Sequence, residues 1–294
     1  MRKKLAVSGP GPTIGRLPIA LALLWLLLTV SSAVGGESIT ASADPVTEGL
    51  SRVWEIVPAN PNDFTFAVIG DNQGSTAVFP RLLTQISKDP DILFAVSTGD
   101  TVTDGTRRQF EIFFRQVSRY LTKPLILTAS NHELSRGAAL YESVVGRRNY
   151  SFTFGDVYCI VIDNAGASRM DWIFEEWLAK ELDAADRYAA TLVFMHVPLY
   201  DPPGSGIRHS LGEKTAGRLM NIFRGRRITH IFCSHIHGYF TGDWEGIPYT
   251  ISGGGGAPLV GTDPAHFFYH YLKVRVKGGT VSYEPVPAAP TGRR

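Results

Sequence analysis

Cysteine is scarce. The chain of 294 residues holds two, Cys159 and Cys233, each inside an apolar, strand-like run. Two cysteines cannot build a disulfide framework, and their surroundings read as those of buried free thiols rather than a bridge. A surplus of one charge is also missing. Lys and Arg number 29 against 27 Asp and Glu, for a formal net charge of +2, and no long block of like charges occurs. A polyanion-binding surface, and with it nucleic-acid binding, has no support, although a local basic pocket stays open. No apolar run reaches the roughly 20 residues of a membrane helix. No internal repeat is present.

Hydrophobic residues make up 44% of the chain and charged residues 19%, enough to bury a substantial core. The N-terminus has its own pattern. Met1-Arg2-Lys3-Lys4 and Arg16 are basic, Leu17 to Val30 is apolar, and Ser31 to Gly36 is small. That order predicts a secretory signal peptide over 1–36, with Ser31-Ser32-Ala33 and Ala33-Val34-Gly35 fitting the exit. Left uncleaved, the segment is an N-terminal anchor. In either case the folded part is exported: periplasmic, secreted, or held at a membrane facing outward. No cysteine follows the run, so a lipid-modified N-terminus is not expected. Residues 37–61 read as a linker, 62–286 as the globular domain, and 287–294 as a disordered tail.

Within the domain, Asp63 to Ile69 reads as a buried strand. Phe79, Leu82, Leu83 and Ile86 then fall at i, i+3, i+4 and i+7 of a helix. Asp91 to Ser97 is a second strand. Phe110, Phe113, Phe114 and Val117 mark a second helix, with Thr106 as its N-cap. Pro124 to Ala129 is a third strand. This alternation predicts βαβ units around a largely parallel sheet. Tyr150 to Phe154 and Val157 to Ile162 form a hairpin about Gly155-Asp156. A helix carrying Phe174, Trp177, Leu178 and Leu182 follows, then the strand Thr191 to Met195. Ala216, Leu219, Met220 and Phe223 mark another helix before the strand Ile228 to Cys233. Beyond Tyr239 the pattern becomes strands without helices: Tyr249 to Ser252, Phe267 to Val276, and Thr280 to Val286.

Five of these apolar runs close on short polar signatures. They are Gly70-Asp71-Asn72-Gln73, Gly99-Asp100-Thr101, Ser130-Asn131-His132-Glu133, Met195-His196, and Ser234-His235-Ile236-His237. In open α/β sheets functional groups collect beyond the carboxyl ends of the strands. Carboxylate and amide oxygens suit hard divalent ions, and imidazole suits zinc, iron and, less strongly, manganese. A carboxylate has two oxygens, and Asp100 is the one best placed to join two ions. Two ions about 3.5–4 Å apart can clamp an in-line displacement at phosphorus. His235 and His237, two apart, share a face on a strand or aim at adjacent metals from a turn. Singly, an Asp or Asn after a strand is usually a turn or cap. Five such ends together make one shared metal centre.

Asp71-x-Gln73, Gly99-Asp100, Asn131-His132-Glu133, His196 and His235-x-His237, in this order, resemble the calcineurin-like metallophosphoesterases. The similarity covers roughly residues 62–284. It includes Tyr150-Ser151-Phe152, Trp177-Leu178 and the run Gly253 to Pro258. The resemblance implies an α/β fold, a four-layer α/β/β/α sandwich with a dinuclear site along one edge. One metal would be held by Asp71, Gln73, Asp100 and His237, and the other by Asp100, Asn131, His196 and His235. A hydroxide between the ions would attack phosphorus. His132 would steady the phosphoryl oxygens and protonate the leaving alkoxide as general acid.

Some positions depart from the family pattern. Gln73 stands where His is usual, which predicts a looser first metal and a shift from zinc toward manganese, iron or magnesium, with manganese or iron favoured. Thr103 occupies the position of an acidic residue that supports the catalytic His in protein phosphatases, leaving Asp104 as the candidate partner of His132. The iron-binding Tyr of purple acid phosphatases would also fall at Thr103, so a purple ferric centre is not expected. Ser130 in place of Gly is a mild change. Arg208 and His209, on the loop after His196, are candidates to meet a phosphate oxygen. The expected substrate is a small phosphoester, mono or di, and membrane association would come only through the N-terminal segment. The competing reading is a binding protein on the same scaffold with a degenerate metal site. A metallo-β-lactamase-type cluster is ruled out, because the residues after His237 lack its Asp-His pair.

Overall fold

A computed structural model describes residues 43–165, 171–203 and 205–290. The elements run in the order α1 (Pro45–Trp54), β1 (Asp63–Ile69), α2 (Phe79–Lys88), β2 (Ile92–Ser97), α3 (Arg107–Tyr120), β3 (Leu125–Leu127) and α4 (Ala138–Val144). After these come β4 (Tyr150–Phe154), β5 (Val157–Val161), α5 (Trp172–Ala185), β6 (Ala190–Phe194), α6 (Glu213–Phe223) and β7 (His230–Cys233). The chain closes with β8 (Tyr239–Trp244), β9 (Ile247–Ser252), β10 (His270–Lys277) and β11 (Thr280–Pro287).

The strands form two mixed sheets flanked by helices. The first has the order β11-β10-β1-β2-β3, the second β4-β5-β6-β7-β9-β8. β1, β2 and β3 are mutually parallel, and β10 joins antiparallel to β1. In the second sheet β5, β6, β7 and β9 are parallel, with β4 and β8 antiparallel at the edges. The sheets face each other across an aromatic core. Phe66 stacks on Phe94 at 5.2 Å and meets Phe194 and Phe232 edge-on at 6.1 and 6.2 Å. Alternation along each strand then divides the packing. On β6, Leu192 and Phe194 join this inter-sheet core, while Val193, and Met195 just past the strand, pack with Leu178, Leu219 and Phe223 of α5 and α6. Both faces of the parallel strands are therefore covered, which explains why these strands read as unbroken apolar runs. Cys159 lies in the inter-sheet core and Cys233 in the α5–α6 core. Both are free and buried, as their apolar runs predict.

Caps fix the helix starts where the sequence offers them. Thr106 Oγ1 accepts from Gln109 N at 3.3 Å and Asp171 Oδ1 from Phe174 N at 2.9 Å. Several elements differ from expectation. Residues 45–54, read as part of a linker, form α1, capped by Asp44 and burying Val46, Leu50 and Val53. Gly49 lets α1 press onto β3, since a Cβ there would lie 2.3 Å from Leu125 O. A helix this short, without a long periodic pattern, is weak as a sequence signal, and burial against the edge strand stabilises it. α4 is shorter still and packs on α3 instead, with Tyr141 edge-on to Phe110 at 6.2 Å. β8, in a stretch of mixed polarity, gains its partner only from β9. The tail is tied down further than expected: Ala288 N donates to Tyr269 O at 2.8 Å and Ala289 N to Gln85 Oε1 at 2.8 Å. The signal peptide or anchor over 1–36, and residues 291–294, lie outside the described residues. Among the described residues no helix is long and apolar enough to cross a membrane.

Two buried histidines lie in this core. Burial pushes His230 and His270 down to about 4 from 6.5, against a carbonyl bond from Phe268 that raises His270. The folded chain keeps both rings neutral where the unfolded chain protonates them. The stability present above pH 6.5 is therefore lost as pH falls toward 4, by about 3 kcal/mol per ring when fully developed. Urea unfolding at pH 7 and pH 4.5 is expected to show a fall in stability, and His230→Gln to make that fall smaller by about 2 kcal/mol. A fall of unchanged size in the variant would remove His230 as a source.

Candidate metal centre

The carboxyl ends of β1, β2, β3, β6 and β7 meet along one edge of the sandwich. Backbone hydrogen bonds continue between the loops beyond the strands. Asp71 N donates to Gly99 O at 3.0 Å, Gln73 N to Asp100 O at 2.8 Å, and Ser234 N to His196 O at 2.9 Å. The loop after β9 joins in, with Gly255 N on Gly70 O and Ala257 N on Asp71 O, both at 2.8 Å. This lacing holds unusual backbone. Asp71, Gln73, Asp100 and His235 all have positive φ, between 41° and 69°, and among the described residues the remaining non-glycine case is Glu245 in the β8–β9 turn. Each such residue costs of order 1 kcal/mol or more, and such strain gathers at functional sites. Gly99, at φ 103°, is required for a different reason: a Cβ there would lie 2.8 Å from His196 Nδ1.

The side chains converge. Asp100, His196 and His235 offer ligand atoms within 4.8 Å of one another, and so do Asp71, Asp100 and His237. Asp100 belongs to both groups and its two oxygens face different neighbours. Oδ1 lies 3.1 Å from His196 Nε2. Oδ2 lies 3.0 Å from Gln73 Nε2 and 3.7 Å from His132 Nε2. His196 Nδ1 donates to Thr98 O at 2.9 Å, which leaves its Nε2 to face Asp100 and, at 3.0 Å, His235 Nδ1. His237 likewise directs Nδ1 to Pro258 O at 2.7 Å, freeing Nε2. Such outer bonds fix the tautomer of a ligand imidazole. Gln73 presents its amide nitrogen to Asp100, and its oxygen would take that place after a half-turn of the terminal torsion.

Burial makes this donor set costly as it stands. Both oxygens of Asp71 and Oδ1 of Asn131 are buried with no hydrogen-bond partner. Burial, followed by the charge of Asp100, pushes the Asp71 carboxyl well above the ordinary carboxylate range. Burial would lower His196, but the adjacent Asp100 outweighs it and lifts the ring to about 9. His235 is pushed down to about 3 by burial and by His196. The orphaned carboxylate of Asp71 beside Asp100 and the imidazoles forms a set that divalent cations fit, since a cation would supply its oxygens with a partner.

His132 reaches the same space from the rim, with 34% of its side chain exposed. Its expected partner is corrected. His132 Nδ1 donates to the carbonyl of Thr103 at 2.6 Å, whereas Asp104 pairs with Arg136. The loop offers a backbone oxygen, an acceptor that residue type cannot announce. Of the two expected phosphate contacts, His209 lies with its ring 5.8 Å from that of His235, and Arg208 is exposed on the same loop.

Three residues support the centre in ways the sequence reading did not give: Glu133 and Ser130, quoted there without a supporting role, and Asn164, not named. Glu133, buried, accepts from Thr101 N at 2.5 Å, Thr101 Oγ1 at 2.6 Å and Asp100 N at 3.2 Å, so it clamps the loop that carries Asp100. Ser130 Oγ accepts from Asp100 N at 2.9 Å and donates to Asp100 Oδ1 at 2.5 Å, a closer involvement than a mild change implies. Asn164, buried past the end of β5, accepts from His196 N at 3.1 Å and Val197 N at 3.0 Å. A signal existed for it, because Asp163-Asn164 follows an apolar strand as the other signatures do.

A cage of this composition, at the joined carboxyl ends of two sheets, is that of a metal-dependent hydrolase. The chain belongs to the calcineurin-like phosphoesterase family, whose model matches residues 64–239. It is thus a metal-dependent phosphoric ester hydrolase by family. A protein of Colwellia psychrerythraea named "probable cyclic nucleotide phosphodiesterase" is 25% identical over 201 residues, covering 63% of this chain and 76% of that one. Among solved structures, the purple acid phosphatase PPD1 from yellow lupin superposes with a TM-score of 0.61 at 15% identity, over 78% of this chain and 52% of that one. GAP50 of Plasmodium, the anchor in its inner membrane complex, gives 0.60 at 14% identity, over 77% of this chain and 85% of that one. At these identities the structural likenesses speak for the fold.

The lacing after β9 is open to test. A Cβ at Gly253 would lie 2.4 Å from Asp71 Oδ2 and 2.2 Å from Ile236 O. Gly253→Ala is expected to displace Asp71 and weaken manganese binding by about 10–100-fold, the usual cost of disturbing support around a metal ligand. Titration calorimetry with Mn(II) measures it. Unchanged affinity would mean that the loop gives way without moving Asp71.

Proposed function

We propose that this protein hydrolyses a small phosphoester, with Asp71, Gln73, Asp100 and His237 holding one divalent cation and Asp100, Asn131, His196 and His235 holding a second. The observation that supports this most is the buried carboxylate of Asp71, its oxygens without a hydrogen-bond partner, beside Asp100 and three imidazoles, with His196 Nδ1 at 4.0 Å. When bound, the cations supply Lewis acidity at phosphorus and lower the pKa of the attacking water. The chain's own residues do the rest. Asp100 directs one oxygen to each half of the site, and Ser130 and Glu133 fix its loop. His132, oriented by Thr103 O, presents Nε2 at the open side of Asp100, where it can hold a phosphoryl oxygen and pass a proton to the departing alkoxide. The named Colwellia relative favours a cyclic nucleotide, a phosphodiester, as the substrate class. Export of the folded part rests on the pattern of residues 1–36.

Chelation with EDTA is expected to abolish hydrolysis of p-nitrophenyl phosphate, its bis ester and cyclic AMP, and Mn(II) to restore it. Asp100→Ala should remove activity on all three. The loss in His132→Ala should depend on the leaving group. An alkoxide needs a proton, so the rate on cyclic AMP falls by about 10²–10⁴, while p-nitrophenolate leaves unaided and its ester suffers less. Equal losses on both would sink the general-acid role. Hydrolysis absent with every cation and ester would favour a binding protein on this scaffold.

Gln73 gives a second measurement. Elemental analysis of purified protein is expected to find less than full occupancy of the Asp71 side, and Gln73→His to raise it. Equal, full occupancy in both proteins would contradict a looser position.

A further inference from the structure

A cavity of about 430 Å³ lies against the outer edge of β8, within the size range of small-molecule sites. Its walls are Pro202 and Pro203 on one side, and Phe240, Thr241, His266 and Phe267 on the other. Phe240 stacks on His266 at 4.5 Å and 12°, and Phe267 meets Phe240 edge-on at 5.8 Å. No Lys or Arg lines it among the described residues, and its acidic group is Asp263. Each wall springs from a segment that carries or supports a candidate ligand. The 202–203 wall belongs to the loop that brings His209 beside His235. β8 begins two residues after His237, and a Cβ on the intervening Gly238 would lie 3.0 Å from Phe240 Cε2 and 3.1 Å from Phe267 Cδ1. The 263–267 loop follows Pro258, whose carbonyl holds His237, and is fixed to β8 by Tyr239 N on His266 O at 2.7 Å.

We infer that this cavity is the subsite for the organic part of the ester and takes a planar, uncharged ring of the nucleobase or aryl type. The inference rests on the phosphoesterase reading above. With no Lys or Arg among the described wall residues, and His266 turning Nδ1 to Tyr239 O, an anion finds no fixed cationic partner there, so the phosphoryl group stays at Asp100. Proline and aromatic faces fit a flat ring instead. Asp263 favours a ring that offers N–H donors, as adenine does.

Two variants and two readouts test it. Phe267→Ala removes a wall, and Thr241→Trp, at an exposed position on the same strand, fills the space without opening the core. Rates are compared for aryl or nucleoside esters against short alkyl esters, mono or di, whichever the enzyme hydrolyses. Intrinsic leaving-group reactivity cancels when each variant's aryl-to-alkyl ratio of kcat/KM is divided by that of the wild type. Both variants are expected to lower that ratio at least fivefold, mainly through KM, with alkyl rates and Mn(II) affinity unchanged. Calorimetry with free adenosine should show binding to the wild type that weakens at least fivefold in both. A ratio that falls in neither variant, or adenosine binding that is absent or unaltered, overturns the inference. Should no ester be hydrolysed at all, the phosphoesterase reading fails, and the adenosine titration still decides the cavity.

Discussion

The backbone bonds that run on from loop to loop after the strands have ended are what the rest of the site depends on. Asp71 on Gly99, Gln73 on Asp100, and Ser234 on His196 extend the ladders by one step into segments that would otherwise be free. That extra step over-determines the backbone, so Asp71, Gln73, Asp100 and His235 can remain at positive φ, where a loose loop would relax. Strain is thereby converted into position. Each side chain leaves its strand end at an angle that regular extended backbone cannot reach.

A second constraint joins the two sheets. Thr98 O, at the end of β2 in the first sheet, accepts from His196 Nδ1 and from Ser234 Oγ, both at 2.9 Å and both from the second. Carboxylates and amides from one sheet thus face imidazoles from the other across a contact too close for a Cβ at Gly99. Electrostatics follow from this closeness. Asp71 and Asp100 are like charges in a buried place, and the histidines beside them are pulled in opposite directions, His196 up and His235 down. An arrangement so poorly satisfied internally is what a cation-binding cage looks like from the protein's side.

Much of this was legible in the chain. The parallel strands are covered on both faces, so they read as apolar runs, and those runs ended within a residue or so of where the structure ends the strands, just before Gly70-Asp71, Gly99-Asp100, His196 and Ser234-His235. The two free, buried cysteines followed from the same runs. What escaped was of two kinds. α1 and α4 are short helices held by tertiary contact, Gly49 of α1 lying against the Leu125 carbonyl, and such elements have little local signature. The partner of His132 is a main-chain oxygen, so no choice of side chain at Thr103 or Asp104 could reveal it. Ser130 could be read only as a departure from pattern until its hydroxyl was seen on Asp100.

The sequence by itself determined which residues stand at strand ends, because the alternation of apolar runs and polar breaks is written locally in a period of 2 or 3.6. It also determined the chemistry those residues can perform, since oxygen and imidazole donors are a property of residue type. Only the tertiary structure decided which ends meet. β10 and β11 return across more than 200 residues to pair beside β1, and the two sheets stack so that His196 and His235 fall on Asp100. Those pairings are long-range, fixed by which apolar faces bury one another and by a few backbone bonds at their rim. No segment read alone carries that information.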